Sequence, residues 1–170
     1  RYLPSPLDAP SKGKNPKNQE EIIELKPDNS LPFVGMAFKI VDDEFGQLTF
    51  TRVYQGAAKK GEMYINQRTG KKDRFSRIVK MHSDKREDIE VAEAGDIVAI
   101  MGLDCAAGDT YAPEAGYATL ENMFVAEPVI KMSINPLTRE GIDRLGKALQ
   151  RFRKEDPTFQ CYVDPESNET

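Results

Sequence analysis

The segment that most restricts the fold is DIVAIMGL, Asp96 to Leu103, an apolar run of six interrupted only by Gly102. Its length suits a strand, and its lack of alternation suits a strand buried on both faces. A single antiparallel sheet with one wet face cannot hold such a strand. A closed barrel can, and closure also removes exposed edges. The preceding sequence supplies the other staves. PFVGMAFKIVDD (Pro32 to Asp43) sets Val34, Met36, Phe38 and Ile40 on one side of a period-2 pleat. Asp42 to Gly46 reads as a polar turn, and LTFTRVYQG (Leu48 to Gly56), EMYINQ (Glu62 to Gln67) and KKDRFSRIVKMH (Lys71 to His82) follow as strands. Turns at Lys59-Lys60-Gly61 and Arg68-Thr69-Gly70 join them into an antiparallel meander. Asp84 to Ala94 is strongly charged and reads as a connecting loop. Leu31 to about Phe124 is therefore expected to be a small β-barrel.

On either side the character changes. Residues 1–30 hold five of the eleven prolines and few periodic apolar positions. This is linker composition, extended along a surface, with Glu21 to Leu25 as a short strand. Beyond the barrel, VIKMSIN (Val129 to Asn135) alternates, with Ile130, Met132 and Ile134 on one face. Thr138 is the expected N-cap of a helix along which Ile142, Leu145, Leu149 and Phe152 recur. Arg151, Arg153 and Lys154 complement the dipole in its last turn, and Asp156-Pro157 stops it. TFQCYV (Thr158 to Val163) alternates again. A strand, a helix and a strand in about 40 residues bury little area alone. Either a domain is cut here, or the unit packs on the barrel or on a second copy. The strand edge around Val129 to Asn135 is where a dimer is expected.

Several function classes are excluded. No stretch approaches the roughly 20 apolar residues that cross a bilayer, so no membrane partner is expected. Arg1 to Pro10 has no apolar run of a secretory signal, and a start at Arg rather than Met reads as a piece of a longer chain. Cys105 and Cys161 have neither zinc nor framework spacing and read as reduced intracellular thiols. The sequence contains no GxxxxGK[ST] or NKxD nucleotide motif, no GxGxxG after a strand and no GxSxG elbow. His82 is the one histidine, so a His relay or multi-His metal site cannot be assembled. Glu87-Asp88 and Asp42-Asp43-Glu44 read as solvated acidic loops. No catalytic residue, cofactor site or metal site is expected in these residues.

What remains is charge. Ten Lys and Arg between Lys59 and Arg86 face Glu62, Asp73 and Asp84, a net +7 in a chain of net −4. A cationic band on an otherwise acidic protein suits a polyanion at one face, or it is a solvated hairpin with interleaved charges. Small barrels bind nucleic acids through loops and strand faces. Tyr54, Tyr64 and Phe75 lie among these cations, either as stacking platforms for bases or as core.

PFVGMAFKI, LTFTRVYQG, KMHSDKREDIE (Lys80 to Glu90), AGDIVAIMGLDCAAGDTYA (Ala94 to Ala112), AEPVIKMSINP (Ala126 to Pro136) and RFRKEDPTFQCYVDPESNET (Arg151 to Thr170) resemble, in order and spacing, elongation factor G. YLPSPLDAP (Tyr2 to Pro10) looks like the exit from that family's GTPase domain. Ala94-Gly95-Asp96-Ile97 with Gly108-Asp109-Thr110 is shared by second-domain barrels of translational GTPases in general, release and ribosome-protection factors included. His82 to Glu87, and Glu155-Asp156-Pro157 followed by Glu166 to Thr170, are more particular to elongation factor G. Gly102-Leu103-Asp104-Cys105 resembles the organellar-type branch, which also occurs in some bacteria, so a bacterial cytoplasm and a mitochondrial matrix both stand.

The resemblance implies a mainly β chain: a linker (1–30) from the GTPase domain, a six-stranded antiparallel translation-factor barrel (31–124), and the first β-α-β of a ferredoxin-like third domain (125–170). It implies a non-catalytic fragment of a GTP-dependent translocase of protein synthesis, with GTP or GDP and Mg held by a GTPase domain outside this sequence. The implied partners are the ribosome, small-subunit rRNA, a small-subunit ribosomal protein and that GTPase domain. The third domain would relay GTPase state. Docking on rRNA needs Lys and Arg against phosphates, and Arg52, Lys59, Lys60, Lys71, Lys72 and Arg74 at the hairpin turns are the candidates. Lys85 and Arg86 pair either with RNA or with Glu87, Glu90 or a neighbouring domain.

Overall fold

A computed structural model of the chain describes residues 3–9, 11–16, 18–43, 46–83, 85–120, 130–136, 138–156, 158–163 and 165. They fall into two compact units, Arg1–Asn122 and Met123–Thr170. The strands of the first unit are β1 (Ser11–Asn15), β2 (Asn18–Leu25), β3 (Val34–Asp43), β4 (Gly46–Gln55), β5 (Ala58–Lys59), β6 (Met63–Asn66), β7 (Lys72–Arg74), β8 (Ile78–His82), β9 (Lys85–Ile89), β10 (Val91–Ala92), β11 (Ile97–Met101), β12 (Thr110–Ala112) and β13 (Thr119–Leu120). Eight of them make one antiparallel sheet in the order β7-β6-β12-β3-β4-β11-β8-β9, where six strands were expected.

This sheet curls back on itself, and the chain shows why. β5 leads into β6 near one end of the sheet and β10 follows β9 at the other. β5 and β10 pair with each other, Val91 opposite Lys59 and Ala92 opposite Ala58. The two ends of the sheet are thus tied together. Phe33, Tyr64, Phe75 and Tyr111 fill the interior, with ring centroids 4.5 Å apart for Phe33–Tyr64, 4.6 Å for Tyr64–Phe75 and 5.4 Å for Phe75–Tyr111. Tilted and edge-on rings at such spacings add about 0.5–1.5 kcal/mol per pair beyond their area.

The apolar run behaves as expected only at its centre. Val98 and Ile100 of β11 enter the main core. Ala99 turns outward and is covered by Leu48, Val79, Phe50, Met81 and Met101, whereas Ile97 is 53% exposed. A satellite cluster buries the outer face here; closure of the barrel does not.

Four other expectations are corrected. The single apolar side of Val34, Met36, Phe38 and Ile40 is broken by a register shift between Ala37 and Lys39. The bulge swaps faces, so Val34 and Met36 join an outer cluster while Ala37 and Ile40 join the main core. Lys71 to His82 is two strands, not one: β7 pairs with β6, β8 pairs with β11 and β9, and the fully buried Phe75 lies in the break between them. The charged loop expected from Asp84 to Ala94 contains β9 and β10, because an edge strand tolerates charge along its length. The expected linker contains a hairpin, with β1 and β2 forming a three-stranded sheet with β13. Pro16 falls in its turn and Pro27 after its end, so the prolines bracket these strands. Gln55 fastens the hairpin by accepting from the Lys26 N–H at 3.2 Å while donating to the Pro32 carbonyl and to the Tyr117 hydroxyl, each at 3.1 Å.

The second unit contains helix α1 (Arg139–Glu155). Thr138 caps it, its hydroxyl accepting from the Gly141 N–H at 3.2 Å, and Arg151 bonds Glu155 at 2.7 Å one turn on. After the helix, Phe159 sets its ring edge-on to Phe152 at 5.8 Å. The strands expected on either side are not formed: residues 130–136 and 158–163 carry no ladder. Alternation selects a face, but a strand also needs partners for its N–H and C=O groups, and this unit supplies none among the described residues. Ile130 and Met132 accordingly stay 75% and 82% exposed, and the edge expected to pair in a dimer has no strand to start from. The expectations at residues 44–45, Asp84, 121–129, Pro157 and 166–170 lie outside the described residues.

Gly56 and Gly70 both take left-handed φ, +69° and +70°. A Cβ on Gly56 would lie 2.5 Å from the Leu31 carbonyl oxygen and 2.6 Å from the Phe33 nitrogen, whereas one on Gly70 would meet nothing. Gly70→Ala is expected to cost roughly 1–2 kcal/mol from backbone strain alone, and Gly56→Ala at least about 3 kcal/mol. Urea unfolding of both variants checks this; equal losses would contradict it.

Candidate nucleic-acid interface

The cationic band centres on the β6–β7 hairpin, so its turn decides what the charges can reach. Asn66 donates its N–H to the Lys71 carbonyl at 2.9 Å, and the Gly70 N–H reaches back to the Asn66 carbonyl at 2.8 Å. The Asn66 side-chain oxygen accepts from the N–H groups of Arg68 and Thr69 at 3.0 and 3.2 Å. Left-handed glycine and an Asx-type turn are the local reasons that NQRTGK folds this way. Gln67 then ties the turn to the loop before β13, donating to the Glu114 carbonyl at 2.9 Å and accepting from Gly116 at 2.8 Å.

Beneath the turn lies Asp109 of the Gly108-Asp109-Thr110 segment, its side chain 2% exposed. It accepts from Arg68 Nε at 2.5 Å and Nη2 at 2.9 Å, from Asn66 Nδ2 at 2.7 Å and from the Ala106 N–H at 2.9 Å. Burial pushes its pKa up. The Arg68 bonds, the Ala106 amide and the Asn66 amide outweigh that, and the carboxyl is held below its ordinary 3.8. A neighbouring bond joins β7 to β12, the Tyr111 hydroxyl donating to Asp73 at 2.9 Å. Burial raises that phenol far above its usual value.

The six candidate cations are not one group. Lys71 and Lys72 sit at the hairpin tip, exposed, with no ion pair among the described residues, and Arg74 follows on the same edge strand with Nε bonded to the Gly61 carbonyl at 3.0 Å. Lys59 lies 3.9 Å from Glu62, and Lys60 is bonded to Glu90 at 2.7 Å. Arg52 is not at a turn. It lies within β4 on the outer face, opposite Met36 and Ile97, its guanidinium 4.8 Å over the Tyr54 ring. Elsewhere in the band Arg77 makes a two-bond pair with Asp88 and Lys80 bonds Asp96 at 3.1 Å. Sequence reasoning passes over Arg68, which lies at the tip itself. Its signal is Asp109, whose charge needs a partner.

The stacking alternative for the aromatics is removed for two of the three. Tyr64 and Phe75 are core, and Tyr54 is half-buried against an outer cluster. The Tyr64 hydroxyl accepts from the Lys59 N–H at 2.9 Å and donates to Glu62 at 2.9 Å, and burial pushes it up to about 12. His82 is exposed, 3.6 Å from Glu87. Both cysteines are free thiols, and burial pushes Cys105 up to about 11, against the lowering effect of its Thr49 contact.

Because Asp109 is depressed in the folded state, its contribution to stability is complete above the unfolded value near 3.8 and fades as pH falls through its folded value. Asp109→Asn is expected to cost roughly 1–3 kcal/mol at neutral pH, with the gap closing on acidification below pH 4. Denaturant unfolding of both proteins from pH 7 to pH 2.5 checks this. A gap independent of pH contradicts it.

Comparison with known proteins gives the barrel and the tail a common origin. Residues 32–112 match the family model Elongation factor G domain 2, and residues 125–170 match Elongation Factor G, domain III. The chain is 64% identical over 169 residues to elongation factor G of Rhodopirellula baltica, covering 99% of this chain and 24% of that protein. It is 48% identical over 170 residues to elongation factor G 1 of Borreliella burgdorferi, covering 100% of this chain and 24% of that protein. With elongation factor G 2 of Bdellovibrio bacteriovorus the identity is 47% over 169 residues, 99% of this chain and again 24% of that protein. The chain thus spans about a quarter of the length of these curated relatives. A crystal structure from Thermus thermophilus superposes with a TM-score of 0.67 at 22% identity, over 82% of this chain and 21% of that one, which speaks to the fold alone. Through both its barrel and its helical unit, the chain belongs to the elongation factor G family and carries that family's domain 2 with residues of its domain III.

Proposed function

We propose that this chain is a ribosome-docking part of elongation factor G that performs no chemistry itself. On this reading the barrel presents Lys71, Lys72 and Arg74 to small-subunit rRNA phosphates, and the helical unit passes the state of a GTPase domain toward the rest of a translocase and meets a small-subunit ribosomal protein. GTP or GDP with Mg would be held by that GTPase domain, in a longer protein acting in a bacterial cytoplasm. The observation that carries the reading is the exposed, unneutralised pair Lys71–Lys72 on a turn anchored from below. Lys59 and Lys60, which face carboxylates, and Arg52, which faces Tyr54, take the smaller share.

Phosphate docking makes affinity fall with salt. The chain is expected to co-sediment with purified small ribosomal subunits at low salt and to leave them at moderate salt. Lys71→Ala with Lys72→Ala should lower the slope of log affinity against log salt by about 2, one for each contact. Binding that ignores both salt and the double variant would refute the proposal.

A further inference from the structure

We infer that Arg68 is a phosphodiester-binding group fixed at the β6–β7 tip, and that Asp109 is the positioning residue that fixes it. The inference rests on the docking reading above, and adds to it a further binding residue and a geometric requirement. Arg68 and Asp109 are unequal partners. The carboxylate is 2% exposed and the guanidinium side chain 59%, so the pair turns its negative end inward and its positive end to water. Asp109 engages the Nε–Nη2 edge at 2.5 and 2.9 Å, and Nη1 takes no partner among the described residues. A group whose only task was to satisfy Asp109 would need no more than the edge already used. The remaining N–H groups lie in the plane that suits two phosphate oxygens.

Fixation matters because a free arginine loses rotamer freedom when it grips a phosphate, and a clamped one has already lost it. The same loop holds Lys71 and Lys72, closed onto Asn66 at 2.9 and 2.8 Å, and Asn66 is itself bonded to Asp109 at 2.7 Å. One buried carboxylate therefore braces the loop that carries all three cations and orients one of them, Arg68. The lysines attract as point charges; Arg68 supplies direction.

Charge and geometry predict opposite signs for one substitution. Asp109→Asn makes the chain more positive, so attraction alone predicts tighter binding. Loss of the clamp predicts weaker binding. In a salt series with purified small ribosomal subunits, Asp109→Asn and the charge-preserving Arg68→Lys are each expected to bind about tenfold more weakly than the parent chain, and Arg68→Lys to do so while still folded at the assay temperature. If Lys71→Ala with Lys72→Ala weakens binding while folded Arg68→Lys binds as tightly as the parent, the assignment of Arg68 is overturned and the docking reading stands. If the double lysine variant also binds as the parent does, both fall. Should Asp109→Asn fail to fold, Arg68→Lys alone decides.

Discussion

A carboxylate shut away from water must find donors or surrender its charge, and Asp109 meets that demand with groups from separate stretches of chain. Asn66 and Arg68 come from the β6–β7 hairpin, and Ala106 from the loop that leads into β12. Satisfying one side chain therefore fixes where the hairpin tip stands relative to the barrel wall. The backbone cooperates at both ends, with Gly70 at φ +70° closing the tip and Gly108 at φ +96° turning the loop. Asp73 and Tyr111 repeat the device one strand further along. The tip is a short hairpin at the end of a sheet, yet it is held by buried bonds on its inner side.

Those same acids decide how much of the cationic band reaches solvent as charge. Counted along the sequence, the band has few carboxylates. In space it gains Asp88 of the edge strand β9, Glu90 just after it, Asp96 just before β11, and Asp109. Exposed pairs such as Arg77–Asp88 contribute little to stability, because water screens them. Their larger effect is to cancel fields that would otherwise spread over the wall, and to keep the β9 edge charged against pairing with another chain. Among the described residues, Lys71 and Lys72 at the tip keep their charge without an ion pair.

The sequence shows the barrel more clearly than it shows the strands. Val98, Ala99 and Ile100 declare a strand buried on both sides, although the outer cover is a satellite cluster and not the closed barrel. Bulges are silent: nothing in MAFKI announces that Phe38 is an extra residue, so the faces of Val34 and Ile40 come out opposed. Edge strands are disguised by their charge, as Lys85 to Ile89 shows, and the β1–β2 hairpin by prolines in its turn and beyond its end. The helix is legible to its cap because Thr138 and Asp156 act locally. Its neighbouring segments are not, because alternation carries no information about whether a partner strand is present. At the tip, single cations can be read from sequence but not their partners. A lysine is visible anywhere; whether Glu90 lies beside it is a matter of topology.

The two motifs that the chain shares with translational GTPase barrels in general turn out to be joints. In Ala94-Gly95-Asp96 the glycine takes φ +96°, its N–H meets the Val53 carbonyl at 2.8 Å, and Asp96 holds both the Glu93 N–H and Lys80. In Gly108-Asp109-Thr110 the aspartate clamps Arg68 and the threonine hydroxyl accepts from the Leu120 N–H at 3.1 Å. Each motif is a tight turn with a carboxylate locking it, which is a requirement of building this barrel and not of any one use of it. That explains why such motifs identify the fold so well and the function so poorly. Function is added where a joint meets the surface, and Asp109 is the point at which a fold-making carboxylate also orients a side chain toward solvent. A barrel with the same joint and a different tip sequence would keep its shape and lose the cationic tip.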